Sequence, residues 1–299
     1  MVTRRRIVRS ARELKANSKP KRPGAVIPIY ERTDTPVMDM LSSIPAQQSK
    51  FRKGDFLHVS DLINKCVRQI ALSHQHSLPM PAQTITASMG LTFKQGDAIH
   101  DYIKSMMLTK FRKDMYGFWH CRCGDTRTSE PSFHAEVKGQ YCELCGTGLD
   151  EYDELVLEDP KLKIRGSPDI VMRVSKDGVL YPIELKSISH EQWKDLARAK
   201  PDHIVQVVFY WYLLRELGYK VSSVVSVVYA TKGFVFKGSP FKEFVIDAEK
   251  SLKYIDDYIE DAQALVRFHK TGELPPRVKC STHKCPDAKQ CHVALECFA

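Results

Sequence analysis

Two apolar runs on either side of Asp177-Gly178 constrain this chain more than any other feature. They form the stretch GSPDIVMRVSKDGVLYPIELKS, residues 166–187. Asp-Gly is a favoured hairpin turn, and the flanking Val, Ile and Leu suit strands, so the stretch predicts an antiparallel pair built for burial. Yet it carries Asp169 after Pro168, then Glu184 and Lys186. Charged groups on buried strands are costly unless they are paired or hold a metal. Asp169 begins the first strand and Glu184 lies near the end of the second, so the carboxylates converge at one end of the sheet. They suit a hard divalent cation such as Mg2+, which prefers oxygen ligands. Lys186, two residues beyond Glu184, projects to the same face. Acids, cation and lysine together suit phosphodiester hydrolysis: the metal lowers the pKa of a water, while metal and lysine offset charge developing on the phosphate.

The surrounding pattern is mixed α/β. Ser60 is placed to cap a helix in which Leu62, Cys66 and Ile70 recur at intervals of four. Ile99, Tyr102, Ile103, Met106 and Met107 make a second helical stripe, with His100 beside it. Short strands are expected near 154–158, 161–166, 169–174 and 179–186, followed by a buried helix over 202–217. Further strands are expected at 221–230 and near 242–246, and a last amphipathic helix at about 247–270. Gln206 and Tyr210 lie four apart on the buried helix, hence on one face, where they either order Lys186 or touch a phosphate backbone. The expected fold is a mixed central sheet flanked by helices.

Nine cysteines fall into clusters, which favours metal ligation over disulfides. From 119 to 150 the periodicity fails, and Cys121, Cys123, Cys142 and Cys145 pair as two knuckles of a zinc ribbon, with His120 and His134 as alternative ligands. Cys66 and the late group Cys280, Cys285, Cys291 and Cys297 make a second candidate centre. The net charge of +9 is concentrated in residues 1–25, where nine Arg and Lys face only Glu13. This basic arm reads either as a solvated tail or as a DNA- or partner-gripping segment. No stretch is apolar enough to cross a bilayer and the N-terminus lacks an apolar signal segment, so a soluble, cytoplasmic protein is expected.

The motifs Gly96-x-x-x-His100, Gly166-x-x-Asp169, Glu184-x-Lys186 and Gln206-x-x-x-Tyr210 stand in the order of the PD-(D/E)xK nucleases. Within that superfamily the chain resembles the RecB-type exonucleases over roughly residues 60–295. The resemblance implies a restriction-endonuclease-like fold. Its divisions would be a basic extension (1–50), a helical N-terminal part (51–118), a zinc-ribbon insertion (119–150), a nuclease core (151–246) and a C-terminal helix with cysteine cluster (247–299). It further implies that His100, Asp169, Glu184 and the Leu185 carbonyl bind Mg2+ or Mn2+, that Lys186 is catalytic, and that Gln206 and Tyr210 line the DNA path. In a subset of the family, including AddB-type helicase-nucleases and the nuclease of CRISPR adaptation, one early and three late cysteines hold a [4Fe-4S] cluster. By that likeness Cys66, Cys280, Cys285 and Cys291 would be its ligands, with Cys297 as alternate and structural zinc as the competing occupant. The first late gap has four residues where the family commonly has two. The implied activity is a DNA nuclease, an exonuclease on single strands or ends, in replication, recombination or repair, with a phage among the expected sources. A helicase, recombinase or other replication protein would be its partner, and no membrane. An endonuclease with the same site, or a non-catalytic nucleic-acid-binding adaptor, are the rival readings.

Overall fold

Alternation of side chains along one strand, Leu180–Ile188, sorts the molecule into two cores on opposite faces of a sheet. The architecture comes from a computed structural model that describes residues 56–78, 84–123, 130–174 and 177–299, and the backbone of short strands at Arg6–Val8, Ile29–Glu31 and Gln47–Gln48. Apart from those strands, the expected basic extension lies outside the described residues.

The central sheet contains β1 (Ile170–Arg173), β2 (Leu180–Ile188), β3 (Val224–Thr231) and β4 (Phe241–Asp247), in that spatial order. β1 and β2 are the expected antiparallel pair, with Ile170 opposite Ile183. Gly178 takes a left-handed φ of +74° at their turn, where a side chain would be strained. β2 and β3 are parallel, with Glu184 opposite Val227, and β4 returns antiparallel on β3.

The main helices are α1 (Val59–Asn64), α2 (Val67–Gln75), α3 (Ala87–Phe111), α4 (Pro201–Glu216) and α5 (Asp256–Thr271). A parallel step needs a crossover, and α4 supplies it. Its Val207, Val208, Trp211 and Leu214 pack with Leu180 and Ile188 of β2 and with Val225, Val227 and Tyr229 of β3. On the other face Ile183 and Leu185 join Ile103 of α3 with Met115, Trp119, Cys121 and Cys142. Burying each large apolar side chain is worth about 1.5–3 kcal/mol. A one-residue slip of β2 would exchange the two sets, so the register is strongly specified. The fold is mixed α/β, as expected.

Several local expectations differ from what is found. Ser60 lies inside α1, whose N-cap is His58, and the chain breaks at Lys65 so that Cys66 is the N-cap of α2 rather than a mid-helix residue. Tyr102 is 65% exposed, because α3 lies across the edge of the sheet and buries only Ile103. The strand expected at 154–158 is replaced by Glu151–Asp153 and Leu157–Asp159, which pair in different sheets. The final helix is interrupted: Ala248–Ser251 and a 3-10 turn at Leu252–Tyr254 precede α5, which ends at Gly272 in a left-handed cap.

Gly166 ends the strand Ile164–Gly166 and leads into Asp169. A Cβ there would lie 2.6 Å from Tyr210 Cε1 and 3.2 Å from Val59 Cγ2, so glycine permits α1 and α4 to close over this strand. Gly166→Val should lower the unfolding free energy by about 1–3 kcal/mol through overpacking, read as a lower denaturant midpoint.

Candidate active site

β1 stops at Ile170 while β2 runs on to Ile188, leaving the edge of β2 without a neighbouring strand beyond Ile183. Asp169 fills the start of that gap. Its Oδ2 accepts from the Leu185 N–H at 2.7 Å, and its Oδ1 stands 3.6 Å from His100 Nδ1 on α3. In an extended strand the N–H and C=O of one residue point to the same edge, which directs the Leu185 carbonyl toward Asp169 as well. Gly96, one turn before His100, lets α3 approach this edge: a Cβ at that position would lie 2.9 Å from Ser187 Oγ.

Glu184 is 3% exposed. Its Oε1 accepts from Lys186 Nζ at 2.5 Å, whereas Oε2 is buried with no hydrogen-bond partner. Burial, reinforced by the Asp169 charge, pushes the Glu184 carboxyl up to about 8 against the opposing pull of Lys186. A buried carboxylate with an orphaned oxygen is unfavourable as it stands and becomes favourable beside a cation. The donor set of a ring nitrogen, two carboxylates and an edge carbonyl fits a hard divalent ion.

Lys186 Nζ also donates to Gln206 Oε1 at 3.0 Å, and Gln206 Nε2 donates to the Tyr210 hydroxyl at 2.8 Å. Tyr210 is buried, and burial raises its phenol above the ordinary range. Of the two roles expected for this pair, ordering Lys186 is the one the geometry brings about. The Tyr210 ring lies against Gly166, at the end of the strand Ile164–Gly166.

Three neighbouring groups were not anticipated. Glu154 accepts from Lys104 Nζ at 2.9 Å, and Ser167 Oγ donates to it at 3.5 Å. Burial, together with the Asp169 charge, raises the Glu154 carboxyl despite that lysine. A cavity of about 770 Å³ opens beside them, lined also by Asp101, Leu108, Phe118 and Tyr152. His203 bonds the Tyr229 hydroxyl at 2.7 Å and is lowered to about 4 by burial and then by the Lys186 charge, so it is neutral at pH 7. Lys104 lies four residues beyond His100 and was available from helical spacing. Glu154 and His203 carry no such signal.

Cys121, Cys123, Cys142 and Cys145 converge, their ligand atoms all within 4.8 Å of one another. The Cys123 and Cys142 sulfurs are 3.7 Å apart, close to the roughly 3.8 Å implied by tetrahedral Zn–S bonds near 2.3 Å. His120 and His134 turn away to Asp153 and Asp150, at 3.5 and 3.0 Å, and do not join the group. The other cysteines line a second cavity, of about 520 Å³, which includes Cys66, Cys280, Cys291 and Cys297. Cys285 is outside that lining and accepts from the Ala288 N–H at the start of the helix Pro286–Gln290. Its hydrogen bond to Cys280 is the main cause pushing that thiol up to about 12. Segments more than two hundred residues apart are clasped here. Arg68 donates to the Pro275 carbonyl at 2.6 Å, Lys279 to the Lys65 carbonyl at 3.1 Å, and His292 bonds Gln69 and Ser73 at 3.0 and 2.9 Å.

A family model described as the PD-(D/E)XK nuclease superfamily matches residues 69–292, and the chain belongs to that superfamily. Nuclease activity on nucleic acid, with divalent metal, is the activity of the class. No curated protein matches the sequence. The chain is similar to a solved structure described as "Crystal structure of SSO0001", with 16% identity, 71% of this chain and 78% of that chain covered, and a TM-score of 0.34. Among the described residues, no helix is long and apolar enough to cross a membrane.

Without metal, a carboxyl raised to about 8 costs stability at neutral pH because the folded state must hold it protonated where the unfolded state would ionise it, and an amide removes that cost. Glu184→Gln is expected to raise the unfolding free energy by about 1–3 kcal/mol in chelator. Addition of Mg2+ or Ca2+ should raise the wild-type melting temperature and leave that of the variant unchanged. Equal metal response in both proteins, read by calorimetry, would remove Glu184 from the site.

Proposed function

We propose that this chain is a metal-dependent deoxyribonuclease of the RecB type, acting as an exonuclease on single strands or DNA ends. The observation that carries the reading is the buried, unpartnered oxygen of Glu184 beside Asp169 and His100, with Lys186 fixed on its other oxygen. In this reading His100, Asp169, Glu184 and the Leu185 carbonyl hold Mg2+ or Mn2+. Such an ion, when bound, supplies Lewis acidity at a phosphate and a more acidic water. Lys186 sets its ammonium against the scissile phosphate, where negative charge grows in the transition state, and Gln206 with Tyr210 keeps it from turning away. Glu154 and Lys104 extend the polar surface along α3 on one side of that point.

The two cysteine groups are structural in this proposal. Residues 119–150 form a ribbon inserted into the nuclease core, with one Zn2+ on Cys121, Cys123, Cys142 and Cys145. Four sulfurs so close together suit a single tetrahedral ion. A [4Fe-4S] cluster takes Cys66, Cys280 and Cys291, with the fourth thiolate from Cys285, which bonds Cys280, or from Cys297, which lines the cavity. Holding residues more than two hundred positions apart, it would stabilise the clasp by closing a long loop.

End-labelled linear single-stranded DNA should be degraded by the wild type in Mg2+ or Mn2+, and at least about 10²–10³-fold more slowly by Glu184→Gln. Resistance of a circular single strand identifies an exonuclease, and its cleavage an endonuclease. Protein purified without oxygen should absorb broadly near about 400 nm from iron-sulfur charge transfer and carry one zinc per chain by elemental analysis. A Cys142→Ser variant should lose the zinc and keep the colour. Colourless protein would assign the C-terminal cysteines to zinc or to free thiols.

A further inference from the structure

The loop between β3 and β4 reads KGFVFKGSP from Lys232 to Pro240, with two lysines and no acid. Phe234 is 82% exposed and Phe236 83%, while Val235 between them is half-buried. The two rings thus stand out into solvent within three residues of each other. Two nearly bare phenylalanines this close together are unfavourable in water and mark a surface that meets something flat and apolar.

The base of the loop is held firmly. Lys232 N–H donates to the Ile188 carbonyl at 2.8 Å, and Thr231 N–H donates to the Pro240 carbonyl at 3.1 Å, which closes the loop. Lys232 Nζ donates to the Thr92 carbonyl at 2.8 Å, and Gln95 Nε2 donates back to the Lys232 carbonyl at 3.0 Å. Gly233 is pressed against His190, where a Cβ would lie 2.6 Å away. These bonds tie the loop to α3, the helix that carries His100. Thr92 precedes His100 by eight residues, about 12 Å along the axis. The loop leaves β3 beside the end of β2, immediately beyond Lys186 and Ser187.

We infer that Phe234 and Phe236 form a stacking platform for the unpaired bases of single-stranded nucleic acid, holding the strand beside the site with the exposed Lys237 available to its phosphates. This deepens the nuclease reading and rests on it. Bases offer flat apolar faces regardless of sequence, and aromatic rings between cations suit a single strand. A duplex keeps those faces stacked internally, so the platform favours single strands over duplex. Lys237 supplies a salt-sensitive part of the affinity and the rings a salt-insensitive one.

The test uses the full-length protein in Ca2+ with a fluorescein-labelled oligothymidylate, read by anisotropy, beside a blunt duplex of equal length. Phe234→Ala/Phe236→Ala should weaken single-strand binding at least about 10-fold, since one stacked base is worth roughly 5- to 150-fold. Duplex binding should change by less than about 2-fold. Phe234→Trp/Phe236→Trp should restore single-strand affinity, which a variant damaged only in folding would not do. A strand carrying 2-aminopurine should lose fluorescence on binding the wild type, giving a readout that needs no variant. Unchanged affinity in the alanine variant, or an unquenched 2-aminopurine strand, would overturn the inference and leave the loop to a protein partner. Metal-dependent hydrolysis of a small phosphodiester such as bis(p-nitrophenyl) phosphate by the wild type reports on the nuclease site separately, so the two readings fail by different measurements.

Discussion

A carboxylate that has lost its water and found only half its partners is the constraint on which the rest of the molecule turns. Glu184 sits on a central strand at 3% exposure, with Lys186 on one oxygen and nothing on the other. An interior built for stability alone would place a well-packed hydrophobe there. The surroundings instead keep the acid in place. β2 fixes which face it occupies, Gln206 and Tyr210 hold its lysine, and Asp169 raises the cost of its charge rather than lowering it. Local frustration of this kind is tolerated because two large apolar cores, one on each face of the sheet, over-determine the backbone beneath it.

Those cores are not equivalent. The face under α4 is a conventional helix-on-sheet layer. The opposite face is shared between α3 and the segment that carries the cysteine group: Cys121 and Cys142 are buried with Ile170 and Leu185, the immediate neighbours of Asp169 and Glu184. The cysteine group is thus packed directly behind the strands that carry the acids. That segment contributes to the core behind β1 and β2 and does more than touch the surface.

Much of this was readable in the residues. The Asp-Gly turn, the β-branched runs beside it and the uninterrupted apolar helix at Pro201–Glu216 are local signals, and local signals survived tertiary placement. Asp169 and Glu184, and Cys121, Cys123, Cys142 and Cys145, come together as their short intervals suggested. What was not readable depends on contacts between distant segments. The break at Lys65 follows from docking α1 and α2 separately, the burial of Tyr210 follows from the close approach at Gly166, and the exposure of Tyr102 follows from where α3 crosses the sheet. The placing of Cys297 on the cavity that Cys66 lines, and of Cys285 at the start of the helix Pro286–Gln290, likewise depends on how the last turns meet α2, which spacing does not carry.

The early end of β1 has a further consequence. A sheet with an open edge is a template for another strand, and chains commonly guard such edges with charge. Here the open flank of β2 is met by Asp169, which takes the Leu185 N–H that a visiting strand would otherwise bind. The side chain proposed to hold the metal therefore also occupies a hydrogen-bonding position that an added strand would need.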